Sequence, residues 1–397
     1  MPEHSDIDGL IRGLTEFQKE VKVEEMLEAA LSGPLPTGER LQQIEQALEM
    51  FKSLGLFGGD DPRDQHLLLT LGRTYERLMH LEKAYEAYEK ALSLAERHGD
   101  AAGRALLLSR MGRVLSRWNR WEESLDYLKR SQKAYEALGD EEGQARVVIT
   151  RGIVFHEQGD YEGASAAYEE ALSLAQRAGD MKTVADVSNN LAVLATIRGD
   201  REEAISRYET CLAMYREAGD ARGIASTYHN MGKTHVDGRN WTAAMDCYER
   251  GFEVAQKEGQ LNTMANIHLS MAEVLLELGN SMMVPICCAR ALDIYKKIGN
   301  HLGEADTYRL LANTFAMRKE WTTAGSLFAD SLRLNEAYSN PLGVAETHRD
   351  RGKMEALQGH KRDARASFET ALSGFRRLGA QADTAEVERL MGDLEGA

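Results

Sequence analysis

The sequence predicts an all-α solenoid: eight helix-turn-helix units in a row, with capping helices at both ends. Three observations predict it. Gly59, Gly99, Gly139, Gly179, Gly219, Gly259, Gly299 and Gly379 keep a spacing of 40 residues, with Ser339 filling the one gap. Twenty residues after each stands a second turn, at His80, Arg120, Gly159-Asp160, Gly199-Asp200, Arg239-Asn240, Gly279-Asn280, Lys319-Glu320 and Gly359-His360. Between turns, apolar residues recur at helical spacing, as Ala164, Tyr168, Ala171, Leu172 and Ala175 do in the stretch from Gly159 to Asp180. A single helix pair cannot bury both its faces, so neighbouring pairs must stack and share a continuous core.

In chain order, residues 1–58 stand outside the repeat. Ile7 to Leu31 reads as one or two helices, interrupted near Gly33 by Pro34 and Pro36. Thr37 then caps a second helix reaching Leu54. Ile44, Leu48 and Phe51 keep the phase of the later units with different residues, which is the pattern of a terminal cap. Eight 40-residue repeats are expected over 59–380. Residues 381–397 begin a ninth unit, with Leu390, Met391 and Gly392 in phase, and stop. They are expected to form the C-terminal capping helix.

Within the unit the residue types resemble the tetratricopeptide repeat (TPR). The first helix carries Leu68, Leu71-Gly72 and Tyr75; the second carries Ala84, Tyr88 and Ala91. The small crossing residue recurs as Gly112, Gly152, Ala192, Gly232, Ala272, Ala312 and Gly352. The bulky residue of the second helix recurs as Leu128, Tyr168, Tyr208, Tyr248, Cys288, Phe328 and Phe368. The period of 40 departs from the usual ~34, and is similar to that of LGN/Pins adaptors, kinesin light chains and bacterial Rap-type peptide receptors. The resemblance implies a right-handed superhelix whose concave wall, built by the first helices, takes up a peptide or a partner's helix.

Composition limits the alternatives. A formal net charge of -15 argues against a sequence-independent grip on nucleic acid or anionic membranes. No apolar run approaches a membrane span, and the N-terminus lacks a secretory signal. Cys211, Cys247, Cys287 and Cys288 make no disulfide framework in a chain of this length, so reduced buried thiols and a cytoplasmic location are expected.

Against that acidic background, Arg73, Arg77, Arg110, Arg113, Arg117 and Arg146 collect on the first helices of the first three units, with Glu76 the one acid found beside them. Arginine forks bind carboxylates and phosphates in pairs. Read structurally, the same residues are solvated arginines paired with glutamates of the next helix. A second signal is Asn189 and Asn190, then Asn230 with Lys233, which resembles the asparagine-bearing first helices of kinesin light chains and LGN. An amide can donate to and accept from an extended main chain. The structural alternative is that Asn190 and Asn230 bond to the adjacent helix pair. Arg309 and Asn313 suit half of a carboxylate clamp, with Asp350 where the next repeat should offer Asn. Leu69, Ile149, Ile153, Val193 and Leu269 make the wall partly apolar.

Catalytic and metal motifs fail. Gly232-Lys233-Thr234 lacks the first glycine of a phosphate loop and lies within a helix. His156-Glu157 has no second His, and Cys287-Cys288 has no companions at metal spacing. Trp121, Trp241 and Trp321 open second helices and read as structural; Trp118, beside Arg117 and Arg120, is out of phase and reads as a possible exposed anchor. The expectation is a non-enzymatic scaffold, without cofactor, that binds an acidic peptide or protein segment. The alternatives are a regulator whose superhelical pitch responds to a peptide, and a structural subunit of a larger assembly.

Overall fold

The computed structural model describes residues 62–77 and 80–396. The helical cap expected over 1–58 and the side chain of Arg77 lie outside this description. The described residues form seventeen α-helices and no strand. The pairs are α1 (Pro62–Arg77) with α2 (Leu81–His98), α3 (Ala101–Arg117) with α4 (Trp121–Leu138), and α5 (Glu141–Glu157) with α6 (Tyr161–Ala178). They continue as α7 (Met181–Arg198) with α8 (Arg201–Glu217), α9 (Ala221–Asp237) with α10 (Trp241–Lys257), and α11 (Leu261–Glu277) with α12 (Val284–Ile298). The last are α13 (His301–Met317) with α14 (Trp321–Ala337), α15 (Pro341–Leu357) with α16 (Lys361–Leu378), and the single α17 (Gln381–Gly396). Two compact units result, Met1–Val187 and Ser188–Ala397.

Two interlocks set the stacking. Within a pair, the glycine of the first helix receives the ring of the second. A Cβ on Gly152 would stand 2.5 Å from Tyr168 Cε1, and one on Gly232 would stand 2.3 Å from Tyr248 Cε1. Such contacts are impossible for a larger residue without moving a helix. Between pairs, Tyr135 fills the space beside Gly143, Tyr215 that beside Gly223 and Tyr295 that beside Gly303. These second glycines sit three residues after an Asp or Asn cap, and Asp140 Oδ1 accepts from Gly143 N at 2.7 Å. One compact sequence feature therefore both caps a helix and seats the previous pair's tyrosine.

The turns keep their left-handed residue even where glycine is missing. Asn119, Arg239, Lys319 and Ser339 have φ of 58°, 55°, 62° and 52°. The sixth pair departs from the pattern. Pro285 lies in the first turn of α12, Ser281 replaces the usual aromatic, and residues 281–283 form a turn instead of helix. Arg318 of the next pair donates to the Ser281 carbonyl. At the far end, Val387 of α17 is buried against Phe368 and Phe375, with Leu390, Met391 and Leu394 packed around it.

Candidate binding site

In the first unit, the first helices bring the arginines together around one acid. Glu76 on α1 is buried, at 4% exposure. Arg113 on α3 donates to it twice, Nε to Oε1 at 2.7 Å and Nη2 to Oε2 at 2.8 Å. Tyr88 donates its hydroxyl at 3.0 Å, and Arg117 Nη1 stands 3.7 Å from Oε1. Burial and the Glu76 carboxylate both push the Tyr88 phenol up, so it stays a donor.

Arg110 has no such partner among the described residues. It is half-buried on α3; burial lowers its pKa, and the neighbouring charges of Arg113 and Arg73 add to that lowering. Arg73 on α1 is exposed and forms no ion pair among the described residues. Arg146 on α5 pairs with Glu142 one turn earlier, an acid the sequence reading left out of the cluster. Ile153 beside it is 38% exposed. The arginines thus separate into a saturated set, Arg113, Arg117 and Arg146, and an unsaturated pair, Arg73 and Arg110. Trp118 is half-buried under Arg120, whose guanidinium carbon lies 5.0 Å from the ring centroid, so it is not a free anchor.

In the second unit, the side chains of Asn189, Asn190 and Asn230 show no hydrogen-bond partner among the described residues. Asn189 Oδ1 is buried without a hydrogen bond. The amides of Asn190 on α7 and Asn230 on α9 make no side-chain hydrogen bond among the described residues. The bonds to the adjacent pair that would have explained them structurally are absent there. His229, next to Asn230, instead bonds Ser270 Oγ on α11 through Nε2 at 3.0 Å. Burial first, then the charge of Lys233, pushes its imidazole down to about 4. His229 is therefore neutral at physiological pH.

Further along, Arg309 and Asn313 on α13 are occupied. Arg309 Nη1 and Asn313 Nδ2 each reach Asp350 Oδ2 at 3.0 Å, and Arg309 Nη2 lies 3.2 Å from Glu346 and 3.7 Å from Asp306. Arg349 joins Asp350 to Asp383 and Glu386, and Lys353 bonds Glu386 at 2.8 Å. Asp350, flagged in the sequence as the wrong residue for a clamp, is the hub that takes up the two clamp residues. Glu273 on α11 has no ion pair among the described residues. It is reached by solvent yet walled by protein, and this burial raises its carboxyl pKa against the opposing pull of Lys233 and Arg309. Asp306, Glu346 and Glu386 escaped notice although they keep the same 40-residue spacing on successive first helices.

All four cysteines are buried and free, and burial pushes the Cys247 thiol to about 11 and Cys288 to about 12. Among the described residues no group of His, Cys, Asp and Glu is placed to hold a metal ion. No described helix is long and apolar enough to cross a membrane.

The tetratricopeptide repeat model matches residues 62–137, 103–177 and 183–257. These helix pairs are tetratricopeptide repeats. No curated protein matches the chain. Among solved structures, the TPR array is similar to the apo quorum sensor NprR from B. thuringiensis, at 17% identity and a TM-score of 0.55, covering 95% of this chain and 99% of that one. NprR in complex with its cognate peptide NprX gives 17% identity, a TM-score of 0.55 and coverage of 93% and 99%. Aspartyl phosphate phosphatase F from Bacillus subtilis gives 12%, 0.57, and coverage of 91% and 94%. At these identities the likeness concerns the fold. The 40-residue TPR period and the Rap-type resemblance read from the sequence agree with it.

Proposed function

We propose that the chain is a binding protein that takes up an extended segment of a peptide or partner protein on the first helices of its repeats. The observation that carries this reading is the set of unpaired amides at Asn189, Asn190 and Asn230. Asparagine is unfavourable inside a helix, and a buried amide oxygen without a partner costs about 1–3 kcal/mol. An extended main chain laid across these helices would supply the missing donors and acceptors without demanding a particular side chain. In the first unit, Arg73 and Arg110 favour an acidic ligand. Binding rather than catalysis fits the buried thiols and the neutral, hydrogen-bonded His229. The location proposed remains cytoplasmic.

A peptide-responsive regulator is the second reading, favoured by the similarity to a structure of NprR holding a peptide. It differs from the scaffold in requiring a change of compactness on binding. The test is selection of peptides from a randomised display library on the full chain, followed by titration of the selected peptide against Asn189→Ala and Asn230→Ala. We expect each variant to weaken binding about tenfold while its helical circular dichroism is unchanged. Unaltered affinity in both variants would sink the amide-ladder reading. Small-angle scattering with and without the peptide separates regulator from scaffold.

A further inference from the structure

We propose that Arg73 and Arg110 form a subsite for a phosphoryl group, specifically a phosphomonoester dianion; this rests on the reading of the first helices as a ligand wall. The argument is one of charge and shape. Glu76 is already taken by Nε and Nη2 of Arg113, by Arg117 and by Tyr88. Among the described residues neither Arg73 nor Arg110 forms an ion pair; Arg110 is half-buried and lies 37 residues on from Arg73, the same register that brings Glu76 to Arg113 and Asn313 to Asp350. Two unpaired guanidiniums match the charge of about -1.5 to -2 on a phosphomonoester, whose oxygens accept two planar forks at once. A single carboxylate leaves one of the two arginines uncompensated. Arg113, fixed by its two bonds to Glu76, gives them a rigid neighbour.

Phosphate chemistry can come from a phosphorylated side chain or from free phosphate, and the experiment separates the two. Inorganic phosphate, with sulfate and chloride controls at matched ionic strength, is titrated into the full chain by calorimetry. Degenerate peptide pools with a fixed phosphoserine, serine or Glu-Glu pair are titrated by fluorescence anisotropy. We expect the phosphoserine pool to bind about tenfold or more tightly than the other two. Arg73→Gln and Arg110→Gln should each remove about tenfold of that preference, Arg110→Lys less, and Arg177→Gln, which alters an unrelated ion pair with Glu141, nothing. If only inorganic phosphate binds and both arginines are required, the phosphoryl subsite holds, free phosphate is its ligand and the peptide reading falls. If the Glu-Glu pool equals the phosphoserine pool, or phosphate binding survives in the folded double variant, the phosphoryl subsite is overturned while the peptide reading stands or falls on the asparagine variants.

Discussion

Arg309 Nη1 donates to Asp350 Oδ2 at 3.0 Å, across the step from the seventh helix pair to the eighth. Asp350 is 5% exposed and also holds Asn313 and Arg349. Burial alone would raise its pKa; the charges of Arg309 and Arg349, with the Asn313 amide, outweigh that and hold its carboxyl below the usual range. Asp350→Asn should lower stability by about 2 kcal/mol, less than the loss of an isolated buried pair because Glu346 and Asp306 still face Arg309. A depressed carboxylate contributes stability above its unfolded pKa, which is lost as pH falls through the lower folded one. The deficit should therefore persist from pH 7 to about 5 and close only below about 4. A urea midpoint unchanged at pH 7 would remove Asp350 as a hub.

Glu273 has the opposite sign. Its side chain is exposed, yet desolvation by the protein around it raises its carboxyl pKa, so the folded chain keeps that proton to higher pH than the unfolded chain does. Its ionised form is a strain on the fold at pH 7 that is relieved as pH falls through the raised value. Glu273→Gln should stabilise the protein at pH 7, and the advantage over wild type should shrink steadily towards pH 4. His229 and His268, both pushed down by burial, work against folding over the same range in both proteins, so only the difference between variants is informative. A difference independent of pH would mean that Glu273 titrates normally.

The glycine sockets predict steric loss. Gly152→Ala places a Cβ 2.5 Å from Tyr168 Cε1, costing about 1–3 kcal/mol from overpacking, partly offset by about 0.5–1 from better helix propensity. A net loss near 1 kcal/mol should appear in denaturant titration. No loss would mean that the third pair can relax to the spacing the fourth adopts with Ala192 at the same crossing.

The non-glycine turns predict a gain. Lys319 at φ 62° carries left-handed strain of about 1–2 kcal/mol, against about 0.4–1 kcal/mol of added unfolded-state freedom when glycine replaces it. Lys319→Gly should stabilise by about 0.5 kcal/mol. Asn119→Gly should do nothing or slightly harm, since asparagine tolerates this region. Equal responses at the two sites would contradict the strain argument.

The array was legible in the sequence because each helix pair is specified locally. Glycine, small residue and ring lie within one period, and Tyr168 announces its socket at Gly152. The wall was less legible because its charges are satisfied by the next repeat. Arg309 meets Asp350 41 residues on and Asn313 meets it 37 on, so inspecting one unit makes both look free. The late start of α12 went unread, although Pro285 and the missing aromatic at Ser281 mark it. Arg73 and Arg110 were flagged, but their separation from Arg113 and Arg117 needed the position of Glu76.

The tyrosines that join one pair to the next carry a longer rhythm than the turns do. Tyr135, Tyr215 and Tyr295, with Gly143, Gly223 and Gly303, recur every 80 residues; at the alternate joints Ala95, Ala175 and Ala255 stand where the tyrosines would, and at the last Asn335 fills the space beside Gly343. Removing residues 221–260 would bring Tyr215 against Thr263, a side chain in place of a hollow. Removing 221–300 would bring it against Gly303, a matching seat. At the Tyr215 joint, two helix pairs rather than one are thus the quantum by which the chain can shorten and keep its seat; at Tyr295 one pair would suffice, because Gly343 holds the equivalent place.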